Sequence, residues 1–185
     1  MKVAGNGQGK VLTTAELKRL FSDGFIRDRD CCLFAICLFT GCRISEALAV
    51  QVTDIKNKTI TFRKSTTKGK LKTRTIDIPE PLKQYLDEYH PLDNPYNPYL
   101  FPSRQGLALS RSMADKILRA AVTRIGVEGV STHSFRRTAL TQMHNAGIPL
   151  RHIQEISGHN DLGTLQRYLE VSPEQRKQAV SVIGW

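Results

Sequence analysis

The run Cys31 to Thr40, CCLFAICLFT, is apolar around nearly the whole circumference of a helix, and a helix without a polar face has to be buried. At ten residues it is about half the length needed to cross a bilayer, so protein rather than lipid must surround it. The helix is expected over about 27–39, at the centre of a folded domain. Before it, Thr13-Thr14-Ala15-Glu16 has the Thr-x-x-Glu form of a capping box, followed by Leu17, Leu20 and Phe21 at helical spacing. Further helices are expected near 44–49, from Pro79 to Tyr89, and over 110–125, 134–145, 149–156 and 173–182. Gly147 and Gly158 stand where helix C-terminal glycines belong. Between these segments the period changes from 3.6 to two: Ile60 and Phe62 alternate with Thr59, Thr61 and Arg63, and Ile76 and Ile78 alternate with Thr75 and Asp77. With a short strand near 52–55, the expected fold class is α+β, mainly helical, with a small antiparallel three-stranded sheet. Its last turn is the basic segment Ser65-Thr66-Thr67-Lys68-Gly69-Lys70. Four prolines at 91, 95, 98 and 102 mark a loop.

A chain of 185 residues can build one core without disulfides or a structural metal. Residues 1–12, with three glycines and little apolar character, read as a flexible arm, and 13–185 as one domain. Lys and Arg total 27 against 17 Asp and Glu, a formal charge of +10, which favours a polyanionic partner. Charge alone leaves nucleic acid and a merely basic protein evenly matched. Cys31, Cys32, Cys37 and Cys42 lack paired C-x-x-C spacing and read as small core residues. With no signal peptide and no membrane span, a cytoplasmic, reducing location is expected.

Five segments carry candidate chemistry: Thr40-Gly41-Cys42-Arg43-Ile44-Ser45-Glu46, Thr67-Lys68-Gly69, His133-Ser134-Phe135-Arg136-Arg137, Ser157-Gly158-His159, and Tyr168. Taken singly, each has a plainer reading. Arg43 would be an ion pair with Glu46 one turn on, His133 a helix cap, and Lys68 a solvated turn. Together, in this order, they resemble the tyrosine recombinase family of phage integrases, Xer-type recombinases and fimbrial invertases, and the nine-residue step from His159 to Tyr168 matches the family's spacing. The resemblance covers about 13–185.

That resemblance implies the tyrosine-recombinase catalytic-domain fold and a site-specific recombinase that cuts and rejoins DNA through a covalent 3′-phosphotyrosyl intermediate, without ATP. A phosphodiester gains charge on its non-bridging oxygens at the transition state, so planar guanidinium forks suit it, and Arg43 and Arg136 are the expected clamps. His133 lies three residues before Arg136 and can lean over the same surface. His159 is expected to hydrogen-bond the phosphate, Tyr168 to attack phosphorus, and Lys68 to protonate the leaving 5′-oxygen. Glu46 is expected to orient the cations. Lys70, Lys72, Arg74 and Arg137 are expected to touch the DNA backbone. Neither cofactor nor metal is implied.

Two departures from the family pattern stand out. Ser157-Gly158-His159 replaces the usual Leu-Gly-His, and only about a dozen residues precede the first expected helix where typical integrases have a helical core-binding domain, so a chain without that domain is expected, either a fragment or one of the short family members. The implied partners are double-stranded DNA at a specific site, three further copies of the chain in a tetramer on DNA with a monomer allowed in solution, and an accessory protein that sets direction. The last helix, with Val171, Ala179, Val180, Val182 and Ile183, would dock on a neighbouring protomer or pack in cis. A type IB topoisomerase uses similar residues to relax supercoils. A silent DNA-binding regulator would have no use for all six reactive side chains, and a helix-turn-helix reading of 134–156 leaves Arg43, Lys68 and Tyr168 unexplained.

Overall fold

The computed structural model describes residues 9–66, 73–89, 97–166, 169 and 173–183. Thr13 caps α1 (Thr14–Arg19) through the expected reciprocal box: its Oγ1 accepts from the Glu16 N–H, and Glu16 accepts from the Thr13 N–H. One wide π-type turn over Leu20–Gly24 carries the chain into α2 (Asp28–Thr40), the buried helix of the sequence reading. Cys32 through Cys37 are all fully buried. Phe34, at the middle of α2, stacks on Phe25 with centroids 4.9 Å apart and meets Phe135 at the same distance from the other side. Burying each such side chain contributes roughly 1.5–3 kcal/mol, which makes α2 the organiser of the core.

After α2, Gly41 turns the backbone left-handed at φ +60, and α3 (Ile44–Leu48) begins three residues later. The strand expected near 52–55 is mostly a 3-10 turn, Val52–Asp54, because the Asp54 carboxylate accepts from the Gln51 N–H at 2.8 Å and closes it. Only β1 (Ile55–Lys56) remains extended there. It pairs antiparallel with β2 (Thr59–Phe62), and β2 pairs with β3 (Arg74–Asp77) in the register Ile60 to Ile76 and Phe62 to Arg74. Ile60 and Phe62 point into the core, while Thr61 and Thr75 hydrogen-bond on the outer face at 3.1 Å. The basic turn holding Lys68, Lys70 and Lys72 lies outside the described residues.

α4 (Glu80–Tyr89) and α6 (Thr132–Asn145) flank α2, and α5 (Arg111–Arg124) closes the core beside the π-type turn. α7 (Leu150–Ser157) packs on α6 and touches β3, and ends at Gly158 with φ +66. A short α8 (Leu162–Gln166), not expected from periodicity, places Leu165 in a small second core with Leu140 and Ile153. In α9 (Pro173–Ser181) and just beyond it, Val180, Val182 and Ile183 are exposed; Val171 lies outside the described residues. Among the described residues no helix is long and apolar enough to cross a membrane.

The boundary of the arm needs correction. Residues 9–12, expected to be flexible, are packed: the Lys10 N–H donates to Gly129 O at 3.1 Å, the Leu12 N–H to Thr138 Oγ1 at 2.8 Å, and Leu12 is buried. Leu12 supplies the apolar anchor that the glycine-rich stretch before it lacks.

Candidate active site

Glu46 is the centre from which this site is built. Its side chain is fully buried, on the inner face of α3. A buried carboxylate needs partners for both oxygens, and here they come from three directions. The Arg43 N–H donates to it at 2.7 Å, Arg43 Nη1 lies 3.5 Å away, and Arg74 donates in a bidentate fork at 3.1 and 3.0 Å. Burial by itself would raise the pKa of Glu46, but the Arg74 hydrogen bonds and charge, with the Arg43 N–H, outweigh it and hold the carboxyl below its ordinary value.

Arg74 also corrects an expectation. It was assigned to the DNA backbone, yet its side chain is 9% exposed, its guanidinium lies 4.6 Å from the Phe62 ring centroid, and both terminal nitrogens are committed to Glu46. The alternation of β3 contains the signal: Arg74 shares the inward face with Ile76, opposite Phe62. Arg74 thus joins the sheet to α3, and it lies against the Gly158 turn as well. A Cβ built on Gly158 would come 3.0 Å from Arg74 Nη1. Gly158→Ala is therefore expected to lower stability by about 1–2 kcal/mol from the left-handed backbone, with a further loss from displacing Arg74. Urea unfolding measures it, and an unchanged midpoint would show that the turn can relax.

Arg136 emerges from α6 with only 1% exposure. Nη1 donates to Gly41 O at 2.6 Å, so the left-handed turn that ends α2 aims a carbonyl at this guanidinium. Nη2 lies 3.0 Å from Nε2 of His159. His159 is carried just past the Gly158 turn and is 6% exposed; Gln154 holds its backbone by donating from Nε2 to the carbonyls of His159 and Asn160, both at 3.1 Å. Burial, then the charges of Arg136 and Arg43, push the His159 imidazole down to about 3, with Arg74 adding to the fall and Asp161 opposing it. His159 is therefore neutral at ordinary pH.

These shifts carry a sign. For both His159 and Glu46 the folded pKa is depressed, so stability is fully present above the unfolded values and is lost as pH falls toward the folded ones. The His159 part disappears between the ordinary imidazole range and about 3, and the Glu46 part below the ordinary glutamate range. Urea midpoints are expected to decline steadily from pH 7 to pH 4, and His159→Asn to flatten the upper part of that decline.

The other expected site residues are distributed as follows. Arg43 is at the N-cap of α3 with 19% side-chain exposure, the most accessible of the three arginines around Glu46 and His159. His133 is exposed in the first turn of α6, one turn before the buried Arg136. Arg137, expected to face DNA or solvent, instead donates from Nη1 to Gly9 O at 2.8 Å and clips the N-terminal segment to α6. Lys68 and Tyr168 lie outside the described residues, as do Lys70 and Lys72. Sequence reasoning missed Gln154 and Ser157, which act on His159 from the last turn of α7. Only the departure of Ser157 from the usual leucine pointed to them.

Comparison with known proteins identifies the family. Residues 10–175 match the Phage integrase family. A probable integrase/recombinase from Bacillus subtilis, YoeC, is 34% identical over 158 residues, which is 84% of this chain and 85% of that protein. Tyrosine recombinase XerA of Pyrococcus furiosus is 34% identical over 178 residues, 92% of this chain but 60% of XerA. The chain thus spans somewhat over half the length of that Xer protein. The fold superposes on crystalline XerA recombinase with a TM-score of 0.78 at 24% identity, covering 97% of this chain and 65% of that one. It superposes on the catalytic domain of bacteriophage HP1 integrase with a TM-score of 0.68 at 23% identity, covering 94% and 95%. With the family model spanning nearly the whole chain, this protein belongs to the phage integrase family of tyrosine recombinases.

Proposed function

We propose that this chain cuts and rejoins DNA at a specific site, using Tyr168 as nucleophile and Arg43, Lys68, His133, Arg136 and His159 to serve the scissile phosphate. The observation that carries this reading is the meeting of Arg136 and His159, from α6 and from the turn after α7, with the charge of Arg43 acting on the same imidazole. Three nitrogen-bearing side chains held this way, two of them cationic, suit a tetrahedral oxyanion. The hydroxyl of Tyr168 attacks phosphorus, a 3′-phosphotyrosyl bond forms, and the bond to the 5′-oxygen breaks. Lys68 gives that oxygen its proton, and the proton lost by the Tyr168 hydroxyl passes to solvent, from which Lys68 is reprotonated, so the step is balanced. The bond energy is retained in the tyrosyl ester, so a 5′-hydroxyl can later attack and reseal the strand.

XerH recombinase has been crystallised bound to its difH substrate, and its fold matches this one with a TM-score of 0.73 over 92% of this chain. That likeness, at 24% identity, is one of fold; the excess of basic residues supports DNA as the partner here too. Lys70 and Lys72 are assigned to the DNA backbone. The exposed Val180, Val182 and Ile183 around the end of α9 favour docking on a neighbouring copy over packing in cis, within a tetramer on DNA.

The test is trapping on a nicked duplex built from the host element's own DNA ends, with the covalent complex resolved on a denaturing gel and the linked peptide mapped. An adduct on the peptide holding Tyr168 supports the reading; an adduct elsewhere, or none, rejects it. In the same assay Arg136→Lys is expected to slow adduct formation by about 10²-fold, because a single ammonium nitrogen cannot occupy the positions of both Nη1 and Nη2, which reach Gly41 O and His159. A rate within about threefold of wild type would remove Arg136 from the clamp.

A further inference from the structure

The last turn of α7 contains a hydroxyl that the reaction as described does not use. Ser157 is fully buried, and its Oγ lies 2.7 Å from Nδ1 of His159 and 3.3 Å from the carbonyl of Gln154. Arg136 Nη2 faces both ring nitrogens, 3.0 Å from Nε2 and 3.2 Å from Nδ1. The shorter serine contact occupies Nδ1, which leaves Nε2 to Arg136.

The ends of this chain have fixed roles. A guanidinium nitrogen only donates, and a carbonyl oxygen only accepts. Between them, neutral His159 and Ser157 have one exchangeable proton each. One direction satisfies three of these four contacts: Arg136 donates to Nε2, Nδ1–H donates to Ser157 Oγ, and the Ser157 hydroxyl donates to Gln154 O, with the longer Arg136 approach to Nδ1 left unused. The opposite assignment would set an Nε2–H against an Arg136 N–H.

We infer that Ser157 is a positioning residue that holds His159 as its Nδ1–H tautomer in the free protein. The inference rests on the reading of His159 as a phosphate ligand and adds a constraint to it. A phosphate oxygen only accepts, so Nε2 can serve it only after gaining a proton, and the resulting imidazolium would donate from Nδ1 to Ser157 and from Nε2 to phosphate. The charged groups acting on that proton are Arg136 on α6, Arg43 at the start of α3, Arg74 on β3, and Asp161 beyond the turn. The three arginines disfavour the protonated form, Asp161 favours it, and an entering phosphate anion would favour it too. A leucine, usual in the family at this position, would leave Nδ1 without this acceptor.

The test is nitrogen-15 NMR of the His159 ring in the full chain at pH 7, without DNA. Wild type is expected to show a protonated, pyrrole-type Nδ1 and a bare, pyridine-type Nε2. Ser157→Ala is expected to lose that preference, with pyrrole-type signal appearing at Nε2, and Ser157→Thr, which retains the hydroxyl, to restore it. A backbone amide spectrum confirms that each variant is folded. A wild-type ring protonated at Nε2, or a folded Ser157→Ala with an unchanged tautomer, overturns the inference. Because the readout needs neither DNA nor turnover, its failure is distinct from failure of the proposed reaction, which the trapping assay reports.

Discussion

Tyr168→Phe is expected to abolish the covalent protein–DNA adduct while DNA binding persists. The substitution removes one oxygen, the atom proposed to form the new bond to phosphorus. An intermediate linked to the protein requires a side-chain nucleophile placed in line with the 5′-oxygen. Removing an enzyme's nucleophile costs on the order of 10⁶-fold in rate, which takes the adduct below detection on a gel. The three described tyrosines are engaged elsewhere: Tyr89 donates its hydroxyl to Leu100 O at 2.9 Å, the Tyr85 ring packs 5.2 Å from that of Phe21, and Tyr99 forms a backbone bridge with Gln51. Binding is carried by cations and survives, so a mobility shift with wild-type affinity and no adduct is the expected pair of results. An adduct of normal yield in Tyr168→Phe would mean that another residue attacks.

Glu46→Ala should produce the largest loss of stability among single changes in this site. It leaves Arg74 nearly buried beside Phe62 without its carboxylate, and strips the Arg43 N–H of its acceptor. Breaking a buried ion pair by removing one partner costs about 3–5 kcal/mol, far more than the pair is worth against an apolar replacement. For a domain of this size that is a fall in Tm of roughly 10 °C. The same reasoning predicts non-additivity. Glu46→Ala combined with Arg74→Met should be more stable than Glu46→Ala alone, because the orphaned charge is gone. Thermal unfolding of the four members of the cycle measures the coupling. If Glu46→Ala unfolds within about 0.5 kcal/mol of wild type, water reaches Arg74 and the pair is not what joins the sheet to α3. Adduct formation should fall in Glu46→Ala as well, since Arg43 and the Gly158 turn both lean on this pair.

Much of the fold could be read from short stretches of sequence because the interactions that define those stretches are local. The Thr13 to Glu16 box is closed within three residues, the alternation of β2 and β3 is a property of the pleat, and the apolar run Cys31 to Thr40 of α2 can only be central. The same holds for the family, whose signature lies in the types and order of Arg43, His133, Arg136, His159 and Tyr168. What those side chains touch was decided by tertiary structure. Arg136 meets a carbonyl 95 residues away in sequence, Arg74 meets Glu46 across 28, and the arm is clipped by Arg137 across 128. A basic residue near a basic turn looks like a DNA contact until a buried carboxylate faces it, and a serine in place of leucine looks like a packing change until an imidazole nitrogen lies 2.7 Å from it. Periodicity says which face of an element turns inward; which charges then confront each other depends on how α2, α3, β3 and the Gly158 turn come together, and burial makes those meetings strong.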